Sequence, residues 1–371
     1  PGHIRMREEG TIRDLISIGV RYFETKNEPD LDIEWHDDHK PPNWLDIVVD
    51  DFIYDADKIL PMGGYLAMPA MGVGTIINPF AKVVDRGRSD IFHDKAWVAI
   101  HNYTLNHPLD YPFDAVKQTG RALTELEYEE VYMKLVQWMF EYIGQFLSPQ
   151  EYESFKGKWN WDDPREYEKI YAGIIDIFES LGRLSFKPGQ DDRKRYTYQA
   201  FRGRFGWDNV PLSVINEERM KSKEPGATLD DDATCFLAYE LTNKQVVEAF
   251  GHSVPIMSTE GGVVIGDRQD GRYPRHDPRL HMELTLWINK FLQGEAPDIS
   301  EHLKGKAPDY YFTVFHWLIA NVLIGVGTPG WETQCWYTNW WNKEFGFEGR
   351  LPTVDAVKAM PSKTRDGVVN D

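Results

Sequence analysis

Two glutamates stand where an α/β protein gathers reactive groups. Glu28 follows the segment Val20-Arg21-Tyr22-Phe23-Glu24-Thr25, inside Asn27-Glu28-Pro29, and Glu260 closes Val254-Pro255-Ile256-Met257-Ser258-Thr259-Glu260, just before Gly261-Gly262. Both segments are rich in β-formers and bounded by breakers, which predicts strands over 20–25 and 254–260. In parallel α/β sheets, sites form at the carboxyl ends of the strands. Two carboxyls placed there can divide proton transfer from nucleophilic attack, provided their surroundings differ. A third strand-like run, 96–103, ends in His101-Asn102-Tyr103 and brings an imidazole and a phenol to the same rim. Taken singly, each glutamate reads as an ordinary loop residue and His101 as a core histidine. The matched positions make them a set.

The elements that would hold this set alternate between helix and strand. Apolar spacing predicts helices over 11–18, with Thr11 as its cap, and over 44–60. Further strands are expected at 65–70 and 310–318, and continuous apolar runs such as 96–103 suit strands buried on both faces. From 232 the alternation resumes, with helices over 232–250 and 276–292 and a last short helix after Pro352. Five strands separated by helices imply βαβ units and a parallel sheet. Residues 104–231 break the rhythm. They carry helices over 123–146, introduced by the capping signal Thr124-Glu125-Leu126-Glu127, and over 165–181. The charged stretch 187–206 reads as loop.

Composition narrows the function. The 371 residues carry 41 Lys and Arg against 59 Asp and Glu, a formal net charge of −18. A phosphate-binding partner needs a basic face, so nucleic acid and anionic lipid are excluded as main partners. No apolar run is long enough to span a bilayer; the longest, 310–326, is interrupted by His316, Asn321 and Gly325. Two cysteines, Cys235 and Cys335, exclude a disulfide scaffold and leave a single bridge open. The many Trp, Tyr and Phe residues suit a large aromatic core or flat platforms for sugar rings.

The ordered set of strand ends resembles the clan A glycoside hydrolases, retaining glycosidases built on a (β/α)8 TIM barrel. The resemblance is carried by Tyr22-Phe23-Glu24-Thr25-Lys26-Asn27-Glu28-Pro29, Ala99-Ile100-His101-Asn102-Tyr103, Met257-Ser258-Thr259-Glu260-Gly261-Gly262 and Phe315-His316-Trp317. It implies that these are barrel strands four, six, seven and eight, with a mostly helical insert after strand six. Barrel strands four to six would then lie in 1–103, the insert over the carboxyl face in 104–231, and strands seven and eight with a closing helix in 232–371. It implies Glu28 as acid/base, Glu260 as nucleophile, Asn27 against the sugar's 2-hydroxyl, His101 and Tyr103 lining the cleft, and Trp317 beneath the sugar. Such an enzyme hydrolyses β-glycosidic bonds of oligo- or polysaccharides by double displacement, needs no cofactor or metal, and is commonly secreted.

The sequence departs from that family in two ways. Only a short helical stretch precedes the Asn-Glu-Pro segment, so strands one to three are not in the chain; an N-terminal segment completing the barrel is expected, and association into oligomers is open. Residues 104–231 have no counterpart in the barrel. These departures keep a second reading alive, a non-catalytic carbohydrate-binding or assembly protein. Trp317 is read equally as a packed side chain, and Trp331, Trp336, Trp340 and Trp341 as a cleft wall or a plug. His36-Asp37-Asp38-His39 looks like a metal cluster but has no third ligand group at supporting spacing, so a solvated loop is preferred. Asp230-Asp231-Asp232 is read as a helix cap.

Overall fold

The computed structural model describes residues 9–93, 95–126, 147–163, 166–180, 212–221, 223–265, 269–273, 276–317, 335–337 and 350–361, with isolated positions at 136, 137, 140, 141, 144 and 319. Its centre is one five-stranded, all-parallel sheet in chain order: β1 (Tyr22–Phe23), β2 (Tyr65–Met68), β3 (Ala96–Tyr103), β4 (Ile256–Gly262) and β5 (Tyr311–His316).

Helices link the strands as alternating hydrophobic patterning requires. Trp44–Ile59 runs between β1 and β2 and buries Val48, Val49, Phe52, Ala56 and Ile59. Ala238–Phe250 precedes β4, ending at Gly251, whose φ of 80° supplies the left-handed turn that stops a helix. Pro278–Leu292 joins β4 to β5, with Pro278 in its first turn and the Asp277 side chain accepting from the Leu280 amide. Two of the expected caps are not used. The first helix is Glu9–Ser17, so Thr11 lies inside it. Asp231 and Asp232 accept from Thr228 and Thr234 in a turn, and the helix behind them begins only at Ala238.

The sheet has two unlike faces. Phe23, Leu66, Met68, Val98, Ile100, Ile256, Tyr311 and Val314 belong to the main core beneath the helices. The opposite face carries Ala67, Trp97, Ala99 and Met257, where small alanines make room for the indole. Near the amino ends of the strands that second face is open: Tyr22 and Tyr65 stack at 5.0 Å, yet keep 57% and 37% of their surface exposed.

The (β/α)8 barrel implied by the resemblance, with strands four to eight in this chain, is not what forms. Among the described residues β1 pairs only with β2 and β5 only with β4. Closing a barrel of this type takes about eight strands with matched tilt and shear, and five curve only part of the way. Among the described residues the architecture is an α/β half-barrel whose two edge strands are unpaired on their outer sides.

Of the segment 104–231, the structure describes helices Ala115–Thr119, Pro149–Lys156, Tyr167–Ser180 and Leu212–Lys221. Most of the helix expected over 123–146 and all of 187–206 lie outside the described residues. Cys235 and Cys335 are both buried and form no disulfide.

Candidate active site

The carboxyl ends of the strands line up along one rim, and the expected residues meet there. His101 is the hub. Its Nδ1 lies 2.8 Å from Glu28 Oε1 and 3.8 Å from Glu260 Oε2. The imidazole is buried, while the Glu28 and Glu260 side chains keep 19% and 22% exposure, enough to meet a ligand. Two carboxylate oxygens within those distances of one nitrogen cannot be further apart than the two distances laid end to end. For these two oxygens that bound is compatible with the roughly 5–5.5 Å carboxyl separation of retaining glycosidases. The Tyr103 hydroxyl donates to Glu260 Oε2 at 3.1 Å.

Register explains how Glu260 reaches this position. Ile100 faces Ser258 across the β3–β4 ladder, but the next residue, His101, faces Glu260. One extra residue in β4 is a bulge, which re-aims side chains at a strand end. The bulge depends on the glycines that follow. A Cβ on Gly261 would run into Ser258 Oγ and lie 2.8 Å from Asn102 Oδ1, and a Cβ on Gly262, whose φ is 100°, would lie 2.6 Å from His316 Nδ1.

The charge states follow from these neighbours. Burial works against a charged His101, yet its hydrogen bond to Glu28 and the charges of Glu260, Glu28 and Glu24 outweigh it and hold the ring above its usual range. Burial pushes Glu260 above the ordinary carboxylate range; His101 and the Tyr103 hydroxyl restrain that rise, and the charges of Glu28 and Glu34 add to it.

The remaining candidates are placed less centrally. Asn27 is exposed and donates from Nδ2 to Glu34 Oε1 at 3.2 Å, so its amide faces the turn Asp32–Glu34. Trp317 follows β5 directly, is partly buried, and donates its backbone N–H to Gly261 at 3.0 Å, beside Glu260. Trp336 tilts against His316 at 5.6 Å, whereas Trp331, Trp340 and Trp341 lie outside the described residues. His36–Asp38 forms a 3-10 turn, and among the described residues no group of three or more His, Cys, Asp or Glu is arranged to hold a metal ion.

Three contributors escaped the sequence reading. Glu24 is a largely buried carboxyl, pushed up by burial and restrained by the Ala70 amide and the charge of His101. Glu34 brings a further acid close enough to act on Glu260. The third is a buried polar clamp joining the loops that leave β3 and β4. His107 Nε2 lies 3.1 Å from Asp270, Arg272 Nε donates to the same carboxylate, and Tyr273 donates to Asp114 at 2.9 Å. Bonds from His107 and Arg272 hold Asp270 far below the usual carboxylate range against the effect of burial. Only Glu24 had a signal in the chain: a charged residue within an otherwise strand-like run.

No family model matches the chain, and neither a curated protein nor a solved structure matches it.

Proposed function

We propose that the protein is a retaining β-glycosidase acting on oligo- or polysaccharides, with Glu28 as acid/base and Glu260 as nucleophile. The observation that carries this reading is the shared hub: two partly exposed carboxylates on different strands facing one buried imidazole, one of them also held by a tyrosine hydroxyl.

The chemistry uses this chain's own groups. Glu260 attacks the anomeric carbon, the bond to the leaving oxygen breaks, and that oxygen takes its proton from Glu28. A glycosyl ester on Glu260 results. Water then attacks the anomeric carbon and gives a proton to Glu28, and the ester bond breaks to regenerate the Glu260 carboxylate. Glu28 must be protonated in the first step and ionised in the second, and His101 Nδ1 lies 2.8 Å from its Oε1. Tyr103 fixes which Glu260 oxygen is free to attack. Asn27 and Trp317 border the place where the sugar would lie.

The second reading, a non-catalytic carbohydrate-binding or assembly protein, is favoured by the two open sheet edges and the exposed Tyr22–Tyr65 pair. A panel of 2-deoxy-2-fluoro glycosides with activated leaving groups separates the two. The glycosidase traps its ester, and mass spectrometry of the digest finds the label on Glu260. Absence of label across gluco, manno and xylo probes, with measurable sugar binding, supports the second reading instead.

A further inference from the structure

We propose that Glu24 is a positioning residue for Glu28, acting through the peptide of Ala70. This rests on the reading of Glu28 as acid/base.

The segment 69–72, just beyond β2, works as a splint alongside 24–30. Glu24 Oε1 accepts the Ala70 N–H at 3.1 Å. The carbonyl of that same Ala70 accepts the Glu28 N–H at 3.0 Å. On the far side of Glu28, Asp30 Oδ1 accepts the Gly72 N–H at 2.7 Å, and the Thr75 hydroxyl donates to the same carboxylate. Glu28 is therefore bracketed by two acids of its own strand end, each gripping a backbone amide of the neighbouring one.

The bracket answers a specific need. Glu28 has a φ of 38°, a left-handed conformation that a residue with a Cβ adopts only at a steric cost. Such a conformation persists only where the surroundings impose it. The Ala70 carbonyl holds the Glu28 amide in it, and the Glu24 carboxylate holds the N–H of the same residue, on the other side of its Cα. With the backbone so held, the Glu28 side chain arrives at His101. A carboxylate is an expensive acceptor to bury; burial pushes Glu24 up, and the Ala70 N–H and the charge of His101 offset part of that rise. The geometry requires an acceptor of glutamate's length to hold Ala70; the charge of Glu24 acts separately, on His101.

The test compares Glu24→Ala, Glu24→Gln and Glu24→Asp in the full chain. Gln keeps an oxygen for Ala70 without the charge; Asp keeps the charge but is one methylene short. The Ala and Asp variants should lose about tenfold or more in kcat/KM on glycosides with poor leaving groups, the loss expected for one mis-set hydrogen-bonded contact. They should lose little on dinitrophenyl glycosides, which need no proton from Glu28. The Gln variant keeps the Ala70 contact, so it should lose far less than Asp on poor leaving groups and keep the wild-type ratio between the two substrate kinds, any common loss coming from the missing Glu24 charge beside His101. Amide hydrogen exchange gives a readout independent of activity: Ala70 and Glu28 amides protected in wild type and Gln, and exchanging faster in Ala and Asp. If Ala does not fold, Asp decides. Equal losses on both substrate kinds, a Gln variant as damaged as Asp, or unchanged Glu28 exchange in Asp would overturn the proposal. Failure of the glycosidase reading is distinct: wild type would then leave Glu260 unlabelled, while the exchange comparison would still decide whether Glu24 holds Glu28.

Discussion

His101 and Glu260 face each other across β3 and β4 only because β4 carries one residue more than β3 at that point. Without the extra residue, His101 would oppose Thr259, and by the period-two rule Glu260 would turn to the other side of the sheet.

The bulge therefore gives the first prediction. Gly261→Ala places a Cβ against Ser258 Oγ and Asn102. Overpacking of this kind costs roughly 1–3 kcal/mol. Thermal unfolding should show a lowered Tm, and the variant should also lose most activity because relaxing the clash shifts Glu260. An unchanged Tm with full activity would contradict the role given to the bulge.

The nucleophile gives the second. Glu260→Ala should lose nearly all hydrolysis, and added azide should restore turnover of an activated glycoside with an inverted glycosyl azide as product. Anomer-resolved NMR reads the outcome; a retained azide product from this variant would sink the assignment.

The acid/base gives the third. Glu28→Ala should slow glycosides with poor leaving groups by about 100-fold or more and activated ones far less in the bond-breaking step, because general acid catalysis contributes roughly 10²–10⁴. Equal slowing of both substrate kinds in pre-steady-state measurements would remove Glu28 from that role.

Stability should depend on pH through a second set of histidines behind β4 and β5. Burial lowers His276 to about 4, His281 to about 3 and His316 to about 4. His281 and His316 are engaged by Thr353 and Asn289. His316 keeps somewhat more surface contact than the other two, so its share is the smallest. Their folded values lie below the unfolded one, so the unfolded chain binds more protons as pH falls. Unfolding free energy should therefore decrease from about pH 6.5 toward pH 4, by a few kcal/mol in total. Urea melts across that range check it, and His281→Gln should flatten the slope.

Much of this was legible in the chain and some was not. The strand ends could be read because buried parallel strands are apolar throughout, and the breakers after them are sharp: Asn27-Glu28-Pro29 and Gly261-Gly262 announce themselves. The pairing of Glu28 and Glu260 followed from their shared position at carboxyl ends. What local patterning cannot show is how many neighbours a strand has, and so β1 and β5 read like strands of a closed barrel although each has an open edge among the described residues. Nor can it show register. Nothing in Met257-Ser258-Thr259-Glu260 says that one residue is extra; that depends on Asn102 and His316, which are far away in sequence. The Asp232 cap failed because its carboxylate is taken by Thr234 and Tyr111, and Thr11 does not cap because it lies within the helix Glu9–Ser17.

The single nitrogen shared by Glu28 and Glu260 has a consequence for every measurement made on the site. The charge of His101 is tied to that of Glu260, so a proton step seen at either belongs to the pair. Under the proposed function, an ester on Glu260 would remove a negative charge from beside His101, and the imidazole would let its proton go more easily in the second half of the cycle than in the first. The ring would then act as a small proton reservoir whose level is reset by the covalent state of its neighbour.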